Sequence, residues 1–257
     1  MSIHKRVARV NSLPLLALRG LVAFPKIMLH FDVARPKSIA ALNEAMEHEQ
    51  TIFLVAQRDV QLDDPAPKDM YKHGVVAKIR QVLRLPNESL RIMVEGLYRA
   101  HIEEVELQDD VYIASVKEDV EIRMPNALEE LALLRECDNY FTKYAELASQ
   151  VVPEMVQKVR ESQDAGAISD YMATHMKLDA DEQQRLLEIL DVRERTEALL
   201  GLISREINIL RLEQDIHRRV DKQMEQNQRD YYLREQMQVI AEELGEEDNP
   251  LEEADEY

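Results

Sequence analysis

The chain has no tryptophan, one cysteine and six glycines among 257 residues, and aromatics make up only 5%. Each scarcity excludes something. A lone Cys137 cannot close an intramolecular disulfide or build a paired-cysteine metal site, which fits a reducing compartment. Its place on a helical apolar stripe reads as a buried thiol acting as a small hydrophobe. No two glycines stand closer than Gly74 and Gly96. A phosphate-cradling P-loop needs two glycines five positions apart, so neither it nor a GxGxxG fingerprint is present. No GxSxG elbow occurs. No apolar run approaches about 18 residues, so no membrane-spanning helix is expected. The start of the chain lacks the apolar stretch of a secretory signal. The seven histidines (His4, His30, His48, His73, His101, His175 and His217) are scattered, and none forms HExxH or another close ligand pair. Each is expected to be an ordinary surface or core residue. No active site, metal site or cofactor site is legible in these residues.

Basic residues are also few. Lys and Arg number 32 against 50 Asp and Glu, for a formal net charge of −18. Nine acidic residues and no basic one lie between Glu242 and Tyr257, a block that reads as a solvated tail. The acidic balance argues against nucleic acid as a partner, because phosphate binding needs clustered Lys and Arg.

What is present divides the chain by periodicity. Strict alternation marks half-buried strands through the first 120 or so residues. Ile27, Leu29, Phe31 and Val33 form one run. Val75, Ala77, Ile79, Leu83 and Leu85 form a second, and Leu90, Ile92, Val94, Tyr98, Ala100 and Ile102 a third. Gly96 keeps the parity of the third run and marks a bend or bulge. Pro86-Asn87-Glu88-Ser89 joins the last two runs as a hairpin. Further strands are expected near Leu13–Arg19, Thr51–Gln57 and Val105–Val116. One helix interrupts them, with Pro36 in its first turn and Ile39, Leu42 and Met46 at helical spacing. Several strands with one helix predict a small curled sheet or partly open barrel.

From about Met124-Pro125 the pattern is helical. Leu131, Leu134, Cys137, Phe141, Tyr144 and Ala148 make one stripe, and Pro153, Asp164 and Asp179 start shorter helices. Asp179 with Glu182 is an acidic capping box, and Asp191 with Glu194 repeats it. From Asp191 to Leu244 the sequence then reads as one unbroken helix, about 80 Å long at 1.5 Å per residue, with Gly245 as its stop. Its first part is rich in apolar residues. Between Arg211 and Asp230 half the residues are charged, and Leu212, Ile216, Val220 and Met224 recur every four. That spacing advances about 40° beyond a turn each time, so the stripe winds around the rod instead of forming a coiled-coil seam. Three acid-first pairs four apart (Asp215 with Arg219, Glu225 with Arg229, Asp230 with Arg234) support the exposed helix. The organisation is therefore α+β: residues 1–120 β-rich, 125–190 helical, 191–245 one long protruding helix, and 246–257 an acidic flexible linker.

Three segments together resemble the N-terminal region of the bacterial ATP-dependent Lon protease family. They are Leu13-Pro14-Leu15-Leu16-Ala17-Leu18-Arg19-Gly20 through Arg35-Pro36-Lys37-Ser38, Gly74-Val75-Val76-Ala77-Lys78-Ile79 through Gly96-Leu97-Tyr98-Arg99-Ala100, and Lys222-Gln223-Met224-Glu225 through Glu243-Leu244-Gly245-Glu246. Asp230 stands where the family usually has Glu. The resemblance implies a PUA-like pseudo-β-barrel followed by a helical bundle and the long helix. It implies a non-catalytic fragment without a cofactor of its own, ahead of an AAA+ module that uses ATP and Mg and a Ser-Lys protease domain. It further implies a cytoplasmic homohexamer degrading unfolded or damaged proteins, in which this region recruits substrates and supports assembly. Candidate substrate or inter-subunit contacts are Met28 and Met46 on the β-rich part and Met224, Tyr231, Tyr232, Leu233 and Met237 on the rod. The alternative is a stand-alone protein-interaction adaptor with the same kind of domain.

Overall fold

Alternation of apolar residues builds strands close to where the sequence places them. The computed structural model describes residues 10–47, 49–86 and 89–244, with side chains to residue 240. The expected Gly245 stop, the 246–257 linker, His4, His48, and Asn87-Glu88 of the hairpin turn lie outside the described residues. The elements run β1 (Val10–Leu18), β2 (Met28–Val33), α1 (Pro36–Glu47), β3 (Thr51–Ala56), β4 (His73–Arg84), β5 (Leu90–Gln108) and β6 (Val111–Glu118). Helices α2 (Ala127–Ala145), α3 (Pro153–Glu161), α4 (Ala165–His175), α5 (Ala180–Glu188) and α6 (Val192–Leu244) follow.

The six strands lie in the order β2-β5-β4-β3-β1-β6, and a further β5–β6 pairing closes the sheet on itself. β5 makes this possible. Its first half pairs with β2 and β4, and its second half with β6. β1 and β3 run parallel, and the other pairs are antiparallel. The result is a closed, curled sheet, where the pattern predicts a curled sheet or partly open barrel and the resemblance implies a pseudo-β-barrel. Leu15, Phe53, Val55, Met70, Val76, Ala100, Ala114 and Val116 fill one core cluster. β3 is buried on both faces from Ile52 to Ala56, as a continuous apolar run at the centre of a sheet requires. α1 lies against β1, β3 and β6, through Ser38, Ala41, Leu42 and Ala45.

Two strand expectations need correction. The run Val105–Val116 is not one strand. It breaks at Asp109-Asp110, whose φ values of 46° and 65° place both in the left-handed region. Two positive-φ residues make a tight hairpin turn whose twist matches the strands, and Asp tolerates that region better than most residues. Leu83, expected to point inward with Val75, is instead 49% exposed. The β4–β5 register shifts between Ile79 and Gln81, so one extra residue on β4 reverses the parity beyond it. A second shift between Val76 and Ala77 passes over Leu97 on β5. It sits beside Gly96, where a Cβ would stand 2.1 Å from the Phe24 carbonyl oxygen. Glycine is required there because the 20–27 loop crosses the strand, with Lys26 N–H donating to Gly96 O at 2.8 Å.

The helices begin where their caps predict. Asn126 accepts from Leu128 N–H, Asp164 from Ala167 N–H, and Pro153 occupies a first-turn position. Asp179 and Glu182 close a reciprocal capping box, and Asp191 accepts from Arg193 and Glu194 N–H. Cys137, Phe141, Tyr144 and Ala148 of the α2 stripe are buried, but Leu131 is 44% exposed. The barrel exit is pinned to the start of α6: Ile122 N–H donates to Leu190 O, and Val192 N–H to Ile122 O, both at 3.0 Å. The chain divides into two compact units at Glu206/Ile207. The barrel, α2–α5 and the first turns of α6 belong to the first unit, so the division falls inside α6 and not at its start.

Candidate functional site

A buried ionic network ties the barrel to the helices of the first unit. Arg99 on β5, only 2% exposed, donates through Nη1 and Nη2 to the two carboxylate oxygens of Asp170 on α4, at 2.8 and 2.5 Å. It also reaches Glu121 at 3.0 Å and the Leu187 carbonyl at 3.0 Å. Arg195, at the start of α6, meets the same Glu121 at 2.5 Å, and its Nε stands 3.4 Å from Asp170. Burial is the largest influence on the Asp170 carboxyl and raises it, while the two guanidinium ions work the other way. Its guanidinium and carboxylate groups are engaged by one another and by the Leu187 and Ile189 carbonyls. Cys137 is inert: burial pushes its thiol up to about 12, so no thiolate forms near neutrality.

On the barrel, a cleft of about 750 Å³ opens between β1, the start of α1 and the 63–65 loop. Leu16, Leu18 and Val33 give it apolar walls; Arg19, Arg35 and Lys37 give it cations. Arg19 meets Asp63 at 2.5 Å and Lys37 meets Asp64 at 2.7 Å. Arg35 differs. Both its terminal nitrogens are buried with no hydrogen-bond partner among the described residues, and desolvation lowers its affinity for its proton. None of the expected contact residues lines this cleft. Met28 and Met46 lie elsewhere, each 42% exposed. Met46 falls off the buried face of α1, which the small residues Ala41 and Ala45 occupy.

In the second unit the expected rod residues are all exposed: Met224 55%, Tyr231 67%, Tyr232 62%, Leu233 46% and Met237 62%. At about 100° per residue, Met224 and Tyr231 share one side of the helix. Leu233, Met237 and Ile240 fall on another. Tyr231 is hydrogen-bonded to Glu235, which raises its phenol, and Gln236 donates to the Tyr232 hydroxyl at 3.1 Å. Of the expected ion pairs, Asp215–Arg219 is replaced. Asp215 pairs with Arg218 at 3.4 Å, while Arg219 donates to the Asp215 backbone carbonyl. Glu225–Arg229 and Asp230–Arg234 are not closed.

The histidines were expected to stand apart, and two of them do not. His73 and His101 are direct cross-strand partners on β4 and β5, and Asp119, just after β6, lies between their rings. His101 Nδ1 is 2.6 Å from Asp119 Oδ1, and His73 Nδ1 is 3.0 Å from Asp119 Oδ2. The signal was available in the sequence. The two bulges add one residue to each strand and cancel, so a plain fold-back that pairs Leu85 with Ser89 also pairs 73 with 101.

Residues 12–205 match the family described as the ATP-dependent protease La (LON) substrate-binding domain. The chain belongs to the Lon protease family. It is 42% identical over 241 residues to a Lon protease of Heliobacterium modesticaldum, covering 93% of this chain and 29% of that protein. It is 38% identical to Lon protease 1 of Bacillus subtilis, covering 91% of this chain and 30% of the relative. The chain thus spans about a third or less of the Lon proteases it matches. Among solved structures, the N-terminal domain of a Mycobacterium avium complex Lon protease superposes with a TM-score of 0.63 at 24% identity. That match covers 76% of this chain and 98% of the other. A Lon N-terminal domain protein from Xanthomonas campestris gives a TM-score of 0.50 at 16% identity. These two similarities bear on the fold alone, and they agree with an α+β Lon N-terminal region.

Proposed function

We propose that this chain is the substrate-recruiting and assembly module of an ATP-dependent Lon protease. It captures unfolded or damaged proteins and supports a homohexamer in the cytoplasm. The chain itself carries out no chemistry; ATP, Mg and the Ser-Lys catalytic pair belong to other parts of the protein. The observation that carries this reading is the set of apolar side chains on the charged half of α6. Met224, Tyr231, Tyr232, Leu233 and Met237 are each 46% exposed or more. Bare methionine and tyrosine on a strongly charged, exposed helix are costly to solubility unless a partner covers them. Methionine in particular adapts to varied apolar sequences. No helix among the described residues is long and apolar enough to cross a membrane. The test is alanine at Met224 and Tyr231 in the full-length enzyme. Weaker hexamer association or slower degradation of an unfolded reporter is expected, with the ATPase domains intact. Wild-type values for both would refute the reading.

A further inference from the structure

We propose that His73, His101 and Asp119 form a binding site for one divalent first-row transition ion, zinc foremost, that clasps the barrel exit to β4 and β5. Each residue offers one ligand atom, and these atoms all lie within 4.8 Å of one another. Tetrahedral zinc with bonds of about 2.0–2.1 Å holds its ligand atoms about 3.3 Å apart. The His101 Nδ1–Asp119 Oδ1 and His73 Nδ1–Asp119 Oδ2 separations of 2.6 and 3.0 Å, one to each carboxylate oxygen, therefore open by about 0.3–0.7 Å when an ion takes the place of the shared protons. The imidazoles are partly open to solvent, at 31% and 24%, whereas the Asp119 carboxylate is 7% exposed. The imidazoles thus border solvent, while the carboxylate between them is already desolvated.

The frame around the three is rigid. His73 and His101 are fixed by the β4–β5 register, His101 also pairs with Lys117 on β6, and Asp119 N–H donates to Arg99 O at 2.9 Å. One neighbouring side chain also holds the His73 backbone. Gln184, 1% exposed, donates through Nε2 to the His73 carbonyl at 3.0 Å and to Glu188 at 2.9 Å. Both neighbours are acceptors, so the amide cannot be turned over. Its Oε1 is consequently left buried without a partner. Three protein ligands leave a fourth position for water. Glu188 acts on His73 through its charge and favours a cation there, while Lys72 opposes it. Two imidazoles and one carboxylate select zinc, cobalt, nickel or copper over magnesium and calcium, which prefer all-oxygen cages. A bound ion would join β4, β5 and the segment that carries Glu121 into the Arg99–Arg195 network.

Cobalt(II) titration of the full chain at pH 7.5 tests this, followed by zinc competition. One equivalent of cobalt is expected to give visible ligand-field bands that zinc abolishes, and zinc is expected to raise Tm. The variants His73→Gln, His101→Gln and Asp119→Asn should each weaken binding more than about tenfold. His217→Gln, on the second unit, should leave it unchanged. If a variant fails to fold, histidine NMR of the wild-type chain decides instead: zinc should shift two imidazoles, and His30, His175 and His217 should not respond. No saturable cobalt signal up to millimolar ion, or a signal that survives the His73→Gln/His101→Gln double variant, would overturn the proposal.

Discussion

Replacing Asp170 with asparagine tests what holds the barrel against the helices. The carboxylate is 3% exposed and receives both terminal nitrogens of Arg99, at 2.8 and 2.5 Å, with Arg195 Nε at 3.4 Å. Asparagine keeps the volume but removes the charge and turns one acceptor into a donor that faces a guanidinium. Breaking one side of a buried ion pair costs about 3–5 kcal/mol, because the remaining charge stays desolvated. Arg99 retains Glu121 and the Leu187 carbonyl, which places the expected loss near the lower end, about 3 kcal/mol. For a unit of this size that is about 6–12 °C in Tm. Urea titration and scanning calorimetry read it directly. Asp138→Asn is the control, since its partner Arg160 is 53% exposed and surface pairs contribute about 0–1 kcal/mol. The double variant Arg99→Met/Asp170→Leu should lose less than Asp170→Asn alone, because apolar replacement removes both desolvated charges together. Asp170→Asn within about 0.5 kcal/mol of wild type, or no worse than Asp138→Asn, would refute this account.

Other consequences follow from local geometry. Gly96→Ala forces a Cβ to within 2.1 Å of the Phe24 carbonyl oxygen, and an overpacking loss of about 1–3 kcal/mol is expected in chemical denaturation. Cys137, with its thiol pushed up to about 12, should resist Ellman's reagent in the native chain and react fully in denaturant. Glu182 is held below its ordinary value of 4.5, first by its hydrogen bond with Arg205. Its stabilisation is therefore present above that value and lost as pH falls through the lower folded one. Glu182→Gln should flatten the acid limb of a stability–pH curve while removing stability at neutral pH.

Much of this fold is legible in the sequence because its signals are local. Caps at Asp164 and Asp179 need only their own turn, and the alternation in β2 needs only its own strand. What escaped depends on distant partners. Leu83 turns outward because of a bulge opposite Met93, and Asp109-Asp110 reads as strand until the β5–β6 pairing bends it. The Arg99–Asp170 pair spans 71 positions and leaves no local mark. The His73–Asp119–His101 cluster needs both the hairpin register and the path of β6. The exposure of Met224, Tyr231, Tyr232, Leu233 and Met237 is legible for a different reason: apolar side chains in a strongly charged helix are conspicuous without any partner in view.

The β1–β6 ladder also sets a clock on synthesis. Val10 pairs with Lys117 and Pro14 with Ile113, so the ring cannot close until the sixth strand has left the ribosome. At about 5–20 residues per second, roughly a hundred residues separate the first strand from its closing partner, a wait of about 5–20 s. Through that interval β1 can hold only to β3, and its other edge stays open to whatever strand reaches it first.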